Sequence, residues 1–172
     1  NILSLDTTAE ICSIALLNSE KRYIFHESRP RAHAKILLPE INRLLNEAGL
    51  SLKELDFIVF GRGPGSFTGV RIATGVAQGL ALSSNCLLIP ISTLQSLAWQ
   101  SNLKRKSVVW SAIDARMSEV YFSRFEIDEN GIPVHQAPEK VIAPHLIADE
   151  IPDNISFVGN GWNAGYALSA DL

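Results

Sequence analysis

The residues of this chain best placed to do chemistry form a run of glycines and hydroxyls, Gly61-Arg62-Gly63-Pro64-Gly65-Ser66-Phe67-Thr68-Gly69-Val70-Arg71. The run follows an apolar stretch, Phe57 to Phe60, that reads as a buried strand. It opens a small-residue segment, Ile72 to Ser83, that reads as a helix. Glycine lets a backbone turn sharply and approach a neighbour closely. Ser66 or Thr68 can cap the helix, and the N–H groups of a helix start attract anions. Strand, glycine turn and helix therefore describe either a phosphate loop or a tight packing joint. The spacing fits no familiar nucleotide loop. A Walker loop needs Lys-Ser or Lys-Thr after its last glycine, and Gly69 is followed by Val70-Arg71. The dinucleotide pattern G-x-G-x-x-G fails at its third glycine, where Ser66 or Thr68 stands. The serine elbow G-x-S-x-G is absent around Ser66 as well.

Two carboxylates are the other candidates. Asp6 ends the apolar run Ile2-Leu3-Ser4-Leu5 and precedes Thr7-Thr8, and Asp114 ends Val108 to Ile113. Strand-end aspartates coordinate metal or nucleotide in duplicated ATPase folds, and they also cap the turn that follows them. Asp6, Thr7, Thr8 and Asp114 are the candidate residues of a vestigial nucleotide cleft. The histidines, His26, His33, His135 and His145, form no H-E-x-x-H motif and no i, i+4 pair. No metal site is expected from them.

The elements that must position these residues fall into two similar halves. Ile2 to Asp6 is a strand, Thr7 to Glu10 a turn, Ile11 to Leu17 a second strand, and Arg22 to His26 a third after Asn18-Ser19-Glu20-Lys21. Val108 to Asp114, Ala115 to Ser118 and Val120 to Phe125 repeat the order, with Asp128-Glu129-Asn130-Gly131 as the next turn. The expected class is α/β with two lobes, 1–100 and 101–172, each on a mixed sheet with flanking helices. Leu37, Ile41, Leu44, Leu45 and Ala48 have helical spacing, with Gly49 as a stop and Pro39 either starting or kinking the regular part. Ser51 to Glu54 is a capping-box pattern. In the glycine helix, Gly69, Ala73, Ala77 and Ala81 form one stripe and Ile72, Val76 and Leu80 another, with Gly75 and Gly79 beside it. Small residues four apart let helices approach, inside a lobe or across a subunit interface. The expected partner-facing residues are Leu37, Ile41, Gly75, Val76, Gly79 and Leu80.

Bulk properties agree with a globular, cytoplasmic protein. The chain has 172 residues, is 47% hydrophobic and carries a net charge of −3, so it lacks the basic footprint of a nucleic-acid binder. Arg29-Pro30-Arg31 and Lys104-Arg105-Lys106 read as solvated loops. Cys12 and Cys86 lie in apolar runs and read as free thiols. No signal peptide or membrane span is visible. The chain begins without methionine and stops at Asp171-Leu172 just after a turn, and a missing C-terminal segment is expected.

Leu3 to Thr8, Ser13 to Leu17, His33 to Pro39, Gly61 to Arg71, Ile113 to Arg116 and Glu119 to Tyr121 together resemble the TsaB (YeaZ) family of bacterial tRNA threonylcarbamoyladenosine biosynthesis proteins. The resemblance covers almost the whole chain. It implies an actin- and Hsp70-like ATPase (ASKHA) fold and a relation to the catalytic paralogue TsaD. TsaD carries a His-x-x-x-His metal motif whose histidines would fall at Thr93 and Leu97, and neither residue replaces an imidazole. The resemblance therefore implies a pseudoenzyme that binds and supports TsaD and joins TsaE in transferring a threonylcarbamoyl group to adenosine of tRNA. It implies homodimers when the chain is alone, tRNA contact only through the complex, and no cofactor beyond weak ATP or ADP at the cleft or the complex interface. The alternatives are an M22-type metallopeptidase and an ATP-dependent phosphotransferase.

Overall fold

A computed structural model describes residues 1–19, 21–28, 32–101, 104–147 and 155–163. Arg29-Pro30-Arg31 and Asp171-Leu172 lie outside that set, as does Glu20 in the first expected hairpin turn. The chain divides into two units, Asn1–Ser92 and Thr93–Leu172.

In the first unit, β1 (Ile2–Asp6), β2 (Ile11–Asn18), β3 (Lys21–Ser28), β4 (Phe57–Gly61) and β5 (Leu87–Ile91) form one sheet in the order β3-β2-β1-β4-β5. The β1–β2 and β2–β3 pairs are antiparallel, while β1–β4 and β4–β5 are parallel. Strand alternation puts Leu3, Leu5, Cys12, Ile14, Leu16, Ile58 and Phe60 on one face. Two helices cover that face. α1 (His33–Ala48) contributes Leu37, Ile41, Leu44 and Leu45, and α2 (Phe67–Ser84) contributes Ala73, Ala77 and Ala81. Pro39 sits inside α1, and Gly49 ends the helix in the left-handed conformation at φ 67°. Alanines on α2 keep that helix close to the sheet, where larger side chains would hold it off. The capping box at Ser51 forms: Glu54 Oε2 accepts from Ser51 N at 2.8 Å and from Ser51 Oγ at 2.7 Å.

The second unit repeats the plan. β6 (Val108–Arg116), β7 (Glu119–Ile127), β8 (Pro133–His135) and β10 (Ile155–Val158) run in the order β10-β6-β7-β8, and β9 (Lys140–Ile142) also pairs with β7. β10 is parallel to β6 as β4 is to β1, and β6–β7 is antiparallel as β1–β2 is. The third strand of the repeat is divided into β8 and β9, both short and both antiparallel to β7. This is the α/β arrangement of two similar lobes with mixed sheets and flanking helices that the actin/Hsp70-like expectation describes. The boundary moves from residue 100 to Ser92. α3 (Thr93–Gln100) packs Leu94 and Ala98 against Val109, Phe125 and Ile127, so it belongs to the second unit. Trp110, Ala112, Val120, Phe122 and Ile147 form a separate cluster in the same unit. Lys104-Arg105-Lys106 is exposed, and Lys106 lies 3.5 Å from Glu129.

Candidate functional site

The glycine segment and the Asp6-Thr7-Thr8 turn come together in the first unit, and the contact is tight. Thr7 Oγ1 donates to the Gly69 carbonyl at 2.7 Å, and the Ser66 N–H donates to the Thr8 carbonyl at 2.7 Å. A Cβ at Gly65 or Gly69 would run into the carbonyls of Thr8 and Thr7, and one at Gly61 would run into the Asp6 carboxylate. These glycines are therefore required by close approach. Ser66 caps α2, its Oγ accepting from Gly69 N at 3.2 Å, while the Val70 N–H donates to the Ser66 carbonyl at 2.9 Å. The Arg62 N–H donates to Ile91 O at 2.9 Å. The amides of Arg62, Ser66, Gly69 and Val70 are thus all engaged within the fold, and a phosphate cradle built from them does not fit this segment. Of the two readings open in the sequence, the geometry realises the packing joint.

Asp6 Oδ1 accepts from Thr8 N at 2.6 Å and Thr8 Oγ1 at 2.7 Å, capping its own turn. Asp114, in the second unit, does the same: its Oδ1 accepts from Arg116 N at 2.8 Å. Its own N–H donates to Asn160 Oδ1 at 3.1 Å. Gly159 and Gly161 lie against Ala112, so a Gly-Asn-Gly turn after β10 packs beside the Asp114 strand as the glycine segment packs beside Asp6. This second turn was not singled out in the sequence. The signal was present, an apolar run Ile155 to Val158 followed by Gly159-Asn160-Gly161.

Thr93 and Leu97 lie one turn apart on α3. Among the described residues no three His, Cys, Asp or Glu side chains gather as a metal site would need. His33 Nε2 lies 3.1 Å from the Glu10 carbonyl and His26 Nδ1 2.9 Å from Ser13 Oγ, so both rings hold local structure. Both cysteines are free, and burial pushes the Cys12 thiol up to about 11, with the Asp6 and Glu40 charges adding to the effect.

The expected partner surface divides. Leu37 and Ile41 are 0% and 2% exposed and face the sheet, so they belong to the core and cannot meet a partner. Adjacent leucines cannot share one helix face, and it is Leu38, 50% exposed, that points outward. Val76 and Leu80 are half-buried against the same core. Gly75 and Gly79 are exposed, and a Cβ at either meets nothing within 4 Å. Along the outer face of α2 stand Phe67, Arg71, Gly75, Gln78 and Leu82, with Phe67 72% and Leu82 87% exposed. The Arg71 guanidinium lies 3.4 Å from the Phe67 ring centroid and donates to the Phe67 carbonyl at 3.1 Å, which holds the pair in place. No charged residue stands between Arg71 and Lys104, a sequence signal that would have drawn attention to this face. The outer face of α1, by contrast, carries an ion-paired group, Arg43 with Glu40 and Glu47.

The sequence pattern of the family TsaD, tRNA N6-adenosine threonylcarbamoyltransferase, matches residues 24–172. The chain is 41% identical to the tRNA threonylcarbamoyladenosine biosynthesis protein TsaB of Escherichia coli K12, over 95% of this chain and 72% of that one. It is 41% identical to the protein of the same name from Haemophilus influenzae, over 95% of this chain and 73% of the relative. Among solved structures it is similar to YeaZ from Pseudomonas aeruginosa, with a TM-score of 0.84 and 41% identity over 94% of this chain and 76% of that one. No helix among the described residues is long and apolar enough to cross a membrane.

Proposed function

The chain belongs to the TsaB family, and from that membership we propose that it serves tRNA threonylcarbamoyladenosine biosynthesis in the cytoplasm as a non-catalytic subunit that binds and supports TsaD. The observation that carries the reading is the outer face of α2. It is uncharged beyond Arg71, notched at Gly75 and Gly79, and ended by the exposed Phe67 and Leu82. On a soluble chain such a face is an aggregation liability unless another protein covers it. A homologous partner presents a related helix, and glycines allow the two backbones to approach. TsaE joins the same assembly, and tRNA is reached only through it.

When the chain is alone, the same face makes a homodimer. Its pattern is self-complementary if two copies of α2 cross antiparallel with the centre between Thr74 and Gly75. Phe67 then meets Leu82 of the partner and Arg71 meets Gln78, whereas a parallel pair would set Arg71 against Arg71. TsaD and a second copy therefore compete for one face.

The catalytic alternatives, a metallopeptidase and a phosphotransferase, are disfavoured by Thr93 and Leu97 on α3 and by the engaged amides of the glycine segment. ATP or ADP would bind only weakly at the Asp6-Thr7-Thr8 turn or at the interface of the complex. The test has two arms. Purified chain and TsaD are mixed and followed by calorimetry, where a saturable 1:1 association is expected. The chain alone is incubated with divalent metal, ATP and casein, where no turnover is expected. Metal-dependent turnover abolished in Thr93→Ala or Asp6→Asn would reverse the reading.

A further inference from the structure

The hairpin between β6 and β7 closes on the Arg116–Glu119 pair, leaving Met117 and Ser118 as a two-residue loop. Both are left-handed, at φ 51° and 60°, and Arg116 before them is at φ 68°. This is the backbone of a type I′ turn, where Asn-Gly is favoured because those residues tolerate positive φ. Methionine has no such tolerance. The turn is held from its base, by the Arg116 N–H on Asp114 Oδ1 at 2.8 Å and by the Asp114 N–H on Asn160 Oδ1 at 3.1 Å. Met117 adds nothing to that hold. Its side chain is 93% exposed, more than any other large apolar residue described. It is also the one methionine among the 172 residues. The fold gains neither packing nor turn propensity from methionine at this position. What the position delivers to solvent is a thioether.

We propose that Met117 is a reversible oxidation site, taking one oxygen atom from a peroxide-class oxidant at the tip of the β6–β7 hairpin. The sulfur lone pair attacks one peroxide oxygen. The S–O bond forms, the O–O bond breaks, and the departing hydroxide takes the proton of the transferred oxygen to leave as water. Sulfur loses two electrons and the peroxide gains them. A thiol-dependent sulfoxide reductase reverses the step, removing the oxygen as water. The tip changes from an apolar surface to a hydrogen-bond acceptor. Because Met117 is almost wholly exposed, the core is not disturbed. The thiols are less available: Cys12 is buried, and the half-buried Cys86 receives the Ser84 hydroxyl at 3.0 Å on its sulfur.

The test is hydrogen peroxide on the folded chain at about pH 5.5, where thiolate is scarce while a thioether, having no proton to lose, keeps its reactivity. Peptide mapping should show a gain of about 16 Da on the peptide bearing Met117, at a rate within about threefold of N-acetylmethionine amide. Methionine sulfoxide reductases should restore the mass, the Met117→Leu chain should show no such gain on that peptide, and the unfolding midpoint should stay within about 1 °C. A rate about tenfold or more below the free amide, a sulfoxide the reductases leave in place, or unfolding on oxidation would each overturn the proposal.

Discussion

Gly79→Leu separates folding from association. In the isolated chain a Cβ at position 79 meets nothing within 4 Å, so leucine finds room. Leucine is also the better helix former, and the exchange should stabilise α2 by about 0.8 kcal/mol. For a chain of this length that raises the unfolding midpoint by about 2–3 °C, provided the concentration keeps both proteins monomeric. The interface responds in the opposite sense. An isobutyl group inserted where two backbones meet overpacks the contact at a cost of about 1–3 kcal/mol. At 1.4 kcal/mol per factor of ten, affinity falls roughly 5- to 150-fold. Thermal unfolding reads the first effect, sedimentation equilibrium reads self-association, and calorimetry reads TsaD binding. A stabilised chain that still dimerises and binds TsaD with wild-type affinity would place the contact elsewhere. A destabilised chain would show that the outer face of α2 is not open.

Gly69→Ala should behave oppositely, because its Cβ would run into the Thr7 carbonyl; stability should drop by about 1–3 kcal/mol in urea unfolding, and a neutral result would refute the joint. The antiparallel register predicts that Arg71→Glu weakens the homodimer and that adding Gln78→Arg restores it, which sedimentation can follow; a double variant no better than the single one argues for another register. Asp128 is held below its ordinary value of 3.8 chiefly by the Ile132 N–H, with Asn130 and Gly131 assisting. A carboxyl depressed in the folded state adds stability above its unfolded pKa and loses it as pH falls through the folded one. Asp128→Asn should therefore lower the unfolding midpoint slightly at neutral pH, and the gap from wild type should close in scans below the ordinary value of 3.8.

What could be read in the sequence was whatever depends on neighbours along the chain. The strands β1, β2 and β4, the stripe Gly69-Ala73-Ala77-Ala81, the capping box at Ser51 and the stop at Gly49 all follow from local sequence, and all are in the structure. Periodicity shows that a helix has an apolar stripe without showing what the stripe meets. Leu37 and Ile41 read for that reason as partner-facing, and they meet the sheet of their own unit instead. The glycine segment is ambiguous in sequence because its occupant is remote: Thr7 and Thr8 reach it across some sixty positions of chain. β8 and β9 are three residues each, too short for alternation to register.

The glycines themselves sort joint from interface. At Gly61, Gly65 and Gly69 the space a side chain would take is filled by Asp6, Thr7 and Thr8, and at Gly159 and Gly161 it is filled by Ala112. The same device thus serves both halves, a turn after the parallel strand thinned to let the Asp-bearing strand come close, and a feature shared by both lobes belongs to their architecture. Gly75 and Gly79 are of another kind. Each weakens the interior of α2 by about 1 kcal/mol relative to alanine. That is a sizeable share of a total stability of about 5–15 kcal/mol. Among the described residues nothing offsets it, since none comes within 4 Å of a Cβ at either position. A second backbone drawn into that space would offset it, by dispersion contacts that a Cβ would prevent. On the proposed function α2 therefore serves two neighbours, its own lobe through Ala73, Ala77 and Ala81 and a second chain through the face that exposes Phe67 and Leu82.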